Sequence, residues 1–195
     1  MNIAVFVSGR GSNLRAIVNS GILAGKVFVK VVVSDKISCP AFEFARSKNI
    51  DTLTVSGKNT PDTVTYDELA AILNENGIHL VVLAGFLKLI PAEFIRKLNC
   101  KIINIHPALL PSYGGKGMYG MNVHNAVFSS GDKMSGPTVH YVNEQYDEGA
   151  IIANLPVDIS NAKSPDEIAS LVLEKEHILL PEVIYDFYLN WIDGN

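Results

Sequence analysis

Leu80–Ala84 reads Leu-Val-Val-Leu-Ala, with no polar residue for either face of a strand. A strand built from such a run must be covered on both sides, which parallel sheets flanked by helices provide. Asn2–Val7 and Val27–Val33 are mostly apolar runs of the same kind, Thr52–Val55 is a shorter one, and Lys101–His106 is the next strand in the series. Between these runs lie segments of helical period. They are Leu14, Ile17, Val18 and Ile22; Pro40–Lys48, with Pro40 at its start; Tyr66, Leu69, Ala70 and Leu73, closed by Asn76-Gly77; and Pro91–Leu98. Strand and helix alternate, so the expected class is α/β with a doubly wound, mostly parallel sheet.

The second half changes style. Ser112–Asn122 is rich in glycine, and Val123–Ser130 reads as a helix. Pro137–Val142 and Ile151–Val157 read as an antiparallel pair turned at Tyr146–Gly149. Ser164-Pro165-Asp166-Glu167 is a capping box with proline at the first helical position. Ile168, Leu171, Val172, Leu179 and Val183 then stripe a long C-terminal helix, with a kink expected at Pro181. No repeat, linker or low-complexity stretch divides the chain, so residues 1–195 are expected to form one domain.

Composition narrows the class of function. At 48% hydrophobic and 18% charged residues, the 195-residue chain is not a disordered one. No apolar run approaches the ~20 residues that cross a bilayer. The start lacks a basic region and reads as a first strand, not a signal peptide. Cys39 and Cys100 have no metal-site spacing, which points to free thiols and a cytoplasmic location. Net charge is −4 without a block of Lys and Arg, against general nucleic-acid or membrane binding. One local cationic pocket for a phosphorylated small molecule remains open.

In open α/β sheets, ligands bind beyond the carboxyl ends of the strands. Three loops lie there and are expected to share one edge: Gly9–Asn13, Gly85–Ile90 and Asn104–Pro111. In Gly9-Arg10-Gly11-Ser12-Asn13, glycines let backbone donors approach an anion at a helix start. Leu14 stands where a dinucleotide loop has its third glycine, and no Gly-Lys-Ser/Thr follows, so a monophosphate fits best. The plainer alternative is a tight turn with a serine N-cap. Asn104 and His106 project to one face of their strand, and Pro107 ends its regular pairing. An amide donor beside an imidazole suits chemistry on a carbonyl. The alternative is a strand end with a capping Asn and a hydrogen-bonded His. Of the other histidines, His140 reads as core and His79 and His124 as surface. None has zinc-ligand spacing, and no Gly-x-Ser-x-Gly elbow is present, so neither a metal site nor a serine hydrolase is expected.

Five motifs occur in order: Ser8-Gly9-Arg10-Gly11-Ser12-Asn13-Leu14, Val82–Leu87, Asn104–Pro111, Thr138-Val139-His140 and Asp147-Glu148-Gly149. Together they resemble the phosphoribosylglycinamide formyltransferases of purine biosynthesis, over Met1 to about Tyr185. The resemblance implies a Rossmann-like formyltransferase domain with an antiparallel C-terminal extension of the sheet and a long C-terminal helix. It implies transfer of a formyl group from 10-formyltetrahydrofolate to the amine of phosphoribosylglycinamide, without a metal. By the same resemblance Asn104 and His106 stabilise the oxyanion, His106 donates a proton, and Asp147 raises the pKa of His106. Gly11, Ser12 and Asn13 match the phosphoribosyl site, and Glu176 a glutamate that holds the glycinamide. Leu87, Lys88, Leu89 and Ile90, with Asn104 and Asp147, match the folate side.

Two stretches depart from the family pattern. Thr63-Val64-Thr65-Tyr66 lacks an arginine that many relatives carry before the tyrosine, leaving Lys88 as the substitute near the folate tail. Gly114–Gly120 is longer and richer in glycine than usual, and is expected to be a mobile lid over the folate side. Competing readings are a methionyl-tRNA formyltransferase, whose extra RNA-binding domain is not expected here, a formyltetrahydrofolate hydrolase, and a non-catalytic folate- or nucleotide-binding module. A homodimer is left open.

Overall fold

The computed structural model describes residues 1–194. Strands β1 (Asn2–Val7), β2 (Phe28–Ser34), β3 (Asp51–Thr54), β4 (Leu80–Leu83) and β5 (Lys101–His106) alternate with helices α1 (Ser12–Val18), α2 (Ala41–Ser47), α3 (Tyr66–Glu75) and α4 (Ala92–Lys97). Then follow α5 (Met121–Ser130), β6 (Met134–Ser135), β7 (Thr138–Tyr141), β8 (Ile151–Asn154), β9 (Val157–Asp158) and α6 (Pro165–Asp193). The main sheet runs β3-β2-β1-β4-β5-β7-β8. Its first five strands are parallel, and β7 and β8 extend it antiparallel. Strand order therefore reverses between β1 and β4, where such sheets open a crevice.

The two faces of the sheet are covered separately, as the apolar runs require. Leu14 and Ile17 of α1, Phe42 and Ala45 of α2, and Leu180 and Ile184 of α6 pack on Val5, Val82 and Ile103. On the other face Leu69 and Leu73 of α3 and Phe94 of α4 pack on Phe6, Val81 and Ile102. A third cluster joins α5 to the start of α6 through Val123, Val127, Ile168 and Val172. Fully burying an aliphatic or aromatic side chain of this kind contributes roughly 1.5–3 kcal/mol.

Several local expectations change. Helix α1 stops at Val18, with Asn19 and Ser20 closing the last turn on Arg15 and Ile17. Ile22 therefore faces solvent, and Leu23 takes the place in the core. The expected strand Ile151–Val157 divides at Leu155-Pro156. Leu155 still donates to the Pro137 carbonyl at 3.1 Å, but Pro156 has no N–H to continue. Val157–Asp158 instead pairs with Met134–Ser135 in a separate two-stranded sheet. At α6 the capping box is half made. Ser164 accepts from the Glu167 N–H, whereas the Glu167 carboxylate takes the N–H of Lys163. Helix α6 continues past the buried Pro181. Among the described residues no helix is long and apolar enough to cross a membrane.

Candidate active site

The three loops predicted to share an edge do so, around a cavity of about 570 Å³. That volume suits a small-molecule site. At one end lies Gly9–Asn13. Gly11, at φ 72°, is the N-cap of α1, and a Cβ there would come within 2.8 Å of Ala41 Cβ. Only glycine fits this left-handed, close-packed position. Ser12 is thus the first helical residue and not the cap, and no side chain answers the first-turn amides. They are available to an anion. Asn13 Nδ2 donates to Glu176 Oε2 at 2.6 Å, while its buried Oδ1 has no partner among the described residues. Glu176 arrives from α6 and is itself buried. Burial pushes its carboxyl pKa up, and the bond from Asn13 offsets part of that.

The middle of the cavity holds the strand-end residues. Ile102 packs under α4, so Asn104 and His106 continue the same face of β5 into the cavity. The antiparallel register sets His140 of β7 opposite Asn104, with Asn104 Nδ2 3.0 Å from His140 Nε2. His140 Nδ1 lies 2.9 Å from the Tyr141 carbonyl oxygen and donates to it. While the ring is neutral, that leaves Nε2 as the acceptor of the Asn104 amide, which orients the amide nitrogen, and among the described residues its second N–H has no partner; on the imidazolium, the Nε2–H faces Asp147 instead. Asp147 lies between both histidines, with Oδ2 3.5 Å from His106 Nδ1 and Oδ1 3.5 Å from His140 Nε2. Its Oδ2 also accepts from the Gly115 N–H at 3.0 Å. Burial pushes the Asp147 carboxyl up, but His140, His106 and the Gly115 amide together outweigh it and hold the pKa low.

His106 departs from expectation. It is 3% exposed, and burial lowers its pKa more than Asp147 and the Tyr113 carbonyl raise it. The resting imidazole is therefore shifted toward the neutral form, with its Nε2 held 2.8 Å from the Tyr113 carbonyl oxygen. The carboxylate does pull in the predicted direction, but desolvation is the stronger effect.

At the other end, Leu87, Lys88, Leu89 and Ile90 all border the cavity. Leu87 and Leu89 are 44% and 43% exposed and form its rim, whereas Ile90 is core beneath α3 and α4. Lys88 is exposed there as well. Gly115–Gly120 lines the same cavity, pinned by Asp147 at Gly115 and by Asn122 Nδ2 at the Gly117 carbonyl.

Two histidines border the cavity without having been expected there. His140 is buried as expected, yet it lines the cavity and orients Asn104. His124 is not a surface residue. It is buried on the first turn of α5, lines the cavity, and leaves Nδ1 without a partner among the described residues. Its spacing from Val123 and Val127 was a signal, but one polar residue beside an apolar stripe does not reveal which neighbour covers it. Among the described residues, no group of three or more His, Cys, Asp or Glu side chains is arranged to hold a metal ion.

Known proteins share both the sequence and the architecture. The formyl transferase family model matches residues 1–184. Chloroplastic phosphoribosylglycinamide formyltransferase of Arabidopsis thaliana is 47% identical over 93% of this chain and 63% of its own length. The Vigna unguiculata protein is covered over 59%, so the chain spans less than two thirds of these plant relatives. The Escherichia coli phosphoribosylglycinamide formyltransferase is 34% identical over 100% of this chain and 94% of its own. The solved structure of the Anaplasma phagocytophilum phosphoribosylglycinamide formyltransferase superposes with a TM-score of 0.85 at 31% identity, over 97% of this chain and 88% of that one. With the family model spanning both the Gly9–Asn13 loop and the Asn104–His106–Asp147 cluster, the chain belongs to the formyl transferase family.

Proposed function

We propose that this chain transfers the formyl group of 10-formyltetrahydrofolate to the amine of phosphoribosylglycinamide, giving the formylated ribonucleotide and tetrahydrofolate. The observation that carries the reading is the meeting of three unlike subsites in one cavity. Unanswered amides at Gly11–Asn13 suit a phosphate, an apolar rim at Leu87–Ile90 suits a flat heterocycle, and Asn104, His106 and Asp147 lie between them. The relatives' names support it.

In the proposed reaction the amine nitrogen bonds to the formyl carbon, and the carbonyl electron pair moves to oxygen. The free N–H of Asn104, already oriented by His140, stabilises that oxyanion. As the oxyanion collapses, the bond from carbon to the folate nitrogen breaks. The folate nitrogen gains one proton and the amine nitrogen loses one, so the proton count balances. His106 carries the proton, with Asp147 3.5 Å behind its Nδ1 to favour the imidazolium when it forms. Glu176 and Asn13 hold the glycinamide end beside the anion loop.

The test is an assay of purified protein with 10-formyltetrahydrofolate, with and without phosphoribosylglycinamide. Formyl transfer to the amine is expected. Deformylation that ignores the amine would establish a hydrolase instead, and binding without turnover a folate- or nucleotide-binding module.

A further inference from the structure

Ser8 is the last residue before the anion loop and is 2% exposed. Its hydroxyl makes two bonds of opposite sense: Oγ donates to Asp35 Oδ1 at 2.6 Å and accepts from the Leu87 N–H at 3.0 Å. The Ser8 backbone N–H donates in turn to the Gly85 carbonyl at 3.0 Å. A serine hydroxyl has one hydrogen. A short charge-assisted bond to the carboxylate takes it, so only lone pairs remain to face Leu87. Asp35 therefore sets the direction of the hydroxyl. One residue thus anchors the loop after β4 at two points, and the next residue, Gly9, opens the anion loop. Gly9 is held from its other side by Cys39, whose Sγ lies 3.4 Å from the Gly9 carbonyl oxygen. Asp35 faces Tyr66 as well. Burial, then the charge of Asp35, pushes the Tyr66 phenol up to about 12, so that ring stays neutral beside the carboxylate.

These bonds also change the expectation for the rim. The Leu87 N–H is engaged by the protein, so the backbone donors that read a flat ligand must come from elsewhere in the segment.

We propose that Ser8, oriented by Asp35, is a positioning residue that holds the Leu87–Ile90 rim in register with the anion loop. The two ends of the cavity are then kept at the separation that brings the reacting atoms together, where errors of an ångström matter. The identity of the two ligands rests on the formyl-transfer reading above, but the Ser8–Leu87 bond does not.

The test joins amide exchange on the ligand-free protein to steady-state kinetics. In Ser8→Ala the Leu87 amide is expected to exchange about tenfold faster, the loss of one hydrogen bond, and the KM for 10-formyltetrahydrofolate to rise about tenfold. The KM for the amine substrate is expected to stay within about twofold. Asp35→Asn, which keeps an acceptor oxygen for the hydroxyl, is expected to keep the Leu87 protection, and Asp35→Ala to lose it. Unchanged Leu87 exchange in Ser8→Ala overturns the proposal, as does faster Leu87 exchange with kcat and the KM for 10-formyltetrahydrofolate both unmoved. A wild-type protein without turnover, in which Ser8→Ala still frees the Leu87 amide, would overturn the functional reading and leave the anchoring bond standing.

Discussion

The carbonyl oxygen of Tyr113 lies 2.8 Å from His106 Nε2 and accepts its hydrogen bond. Two residues on, the Gly115 amide donates to Asp147. The start of the glycine-rich loop therefore occupies the groups that the proposed reaction needs. For His106 to donate to substrate, its Nε2–H must leave the Tyr113 carbonyl. A lid at Gly114–Gly120, expected from its composition, would therefore act on the hydrogen bonds that hold His106 and Asp147. Hydrogen exchange through this segment is expected to slow when tetrahydrofolate and phosphoribosylglycinamide are bound together. Equal protection in the free and bound states would sink the lid. In the free state, Asp147→Ala is expected to speed exchange of the Gly115 amide by about tenfold, since its one acceptor is removed.

His106→Ala is expected to lower kcat by about 10²–10⁴-fold, the usual range for losing a positioned acid or base. Binding of both substrates should largely survive, because the anion loop and the Leu87–Ile90 rim are untouched. A kcat near wild type would remove His106 from the proton-carrying role. Asp147→Asn acts through His106. The carboxylate raises the histidine pKa against burial, so removing its charge lowers that pKa further. The limb of the pH–rate profile set by protonated His106 is then expected to move to lower pH. An unmoved profile would mean that Asp147 does not set the state of His106.

Much of this site could be read from the sequence because it lies on the regular part of the fold. The alternation of Ile103, Asn104, Ile105 and His106 was enough to put the amide and imidazole on one face. The strand–glycine–helix order at Val7–Asn13 was enough to place a glycine turn at the start of α1, on the edge of the cavity. His140 was harder: its partner Asn104 lies 36 residues away, and antiparallel register depends on turn geometry that local pattern does not contain. The pKa of His106 was harder still. A neighbouring carboxylate is visible as a motif, but the desolvation that outweighs it is a property of the whole packed cavity. The short pair β6 and β9 has two residues in each strand, below the length at which alternation means anything.

Stability is expected to fall as the solution becomes acidic. Burial lowers the pKa of His106, His124 and His177; the charge of His106 adds to this at His124, and Asp166 opposes it. In the unfolded chain these groups return to about 6.5. As pH falls through that value the unfolded chain binds more protons than the folded one. Stability that is full above it is therefore lost on the way down to the folded values. Asp147, whose carboxyl is held low, extends the loss to more acidic pH. Glu176 works the other way. Burial raises its pKa, so its contribution is full below the ordinary glutamate range and is lost as pH rises through the folded value. Urea midpoints are expected to be lower at pH 5.5 than at pH 7.5. Glu176→Gln is expected to gain stability at high pH while losing affinity for the amine substrate. In Glu176→Gln, where the opposing carboxyl is removed, a midpoint that does not change between these pH values would contradict the lowered pKa values of the three imidazoles.

Gly149 shows how the turn and the chemistry share one oxygen atom. A Cβ on Gly149 would lie 1.6 Å from the Tyr141 carbonyl oxygen, far inside contact distance. The Tyr141 N–H donates to the Ala150 carbonyl at 3.0 Å, which holds the two strands together just there. The same Tyr141 oxygen accepts from His140 Nδ1 and so fixes the ring that orients Asn104. Gly149→Ala must therefore push β7 and the turn apart. It is expected to destabilise the protein by about 1–3 kcal/mol, as overpacking does. Because Asp147 lies two residues before it and His140 loses its anchor, kcat is expected to fall by about 10²-fold, the scale of losing an oxyanion donor. Asn104→Ala provides the comparison. It should lose kcat to a similar degree with little change in the urea midpoint, since among the described residues its amide bonds only His140. If Gly149→Ala lost stability but kept full kcat, the Tyr141 oxygen would serve the turn alone, and the orientation of Asn104 would have to come from another source.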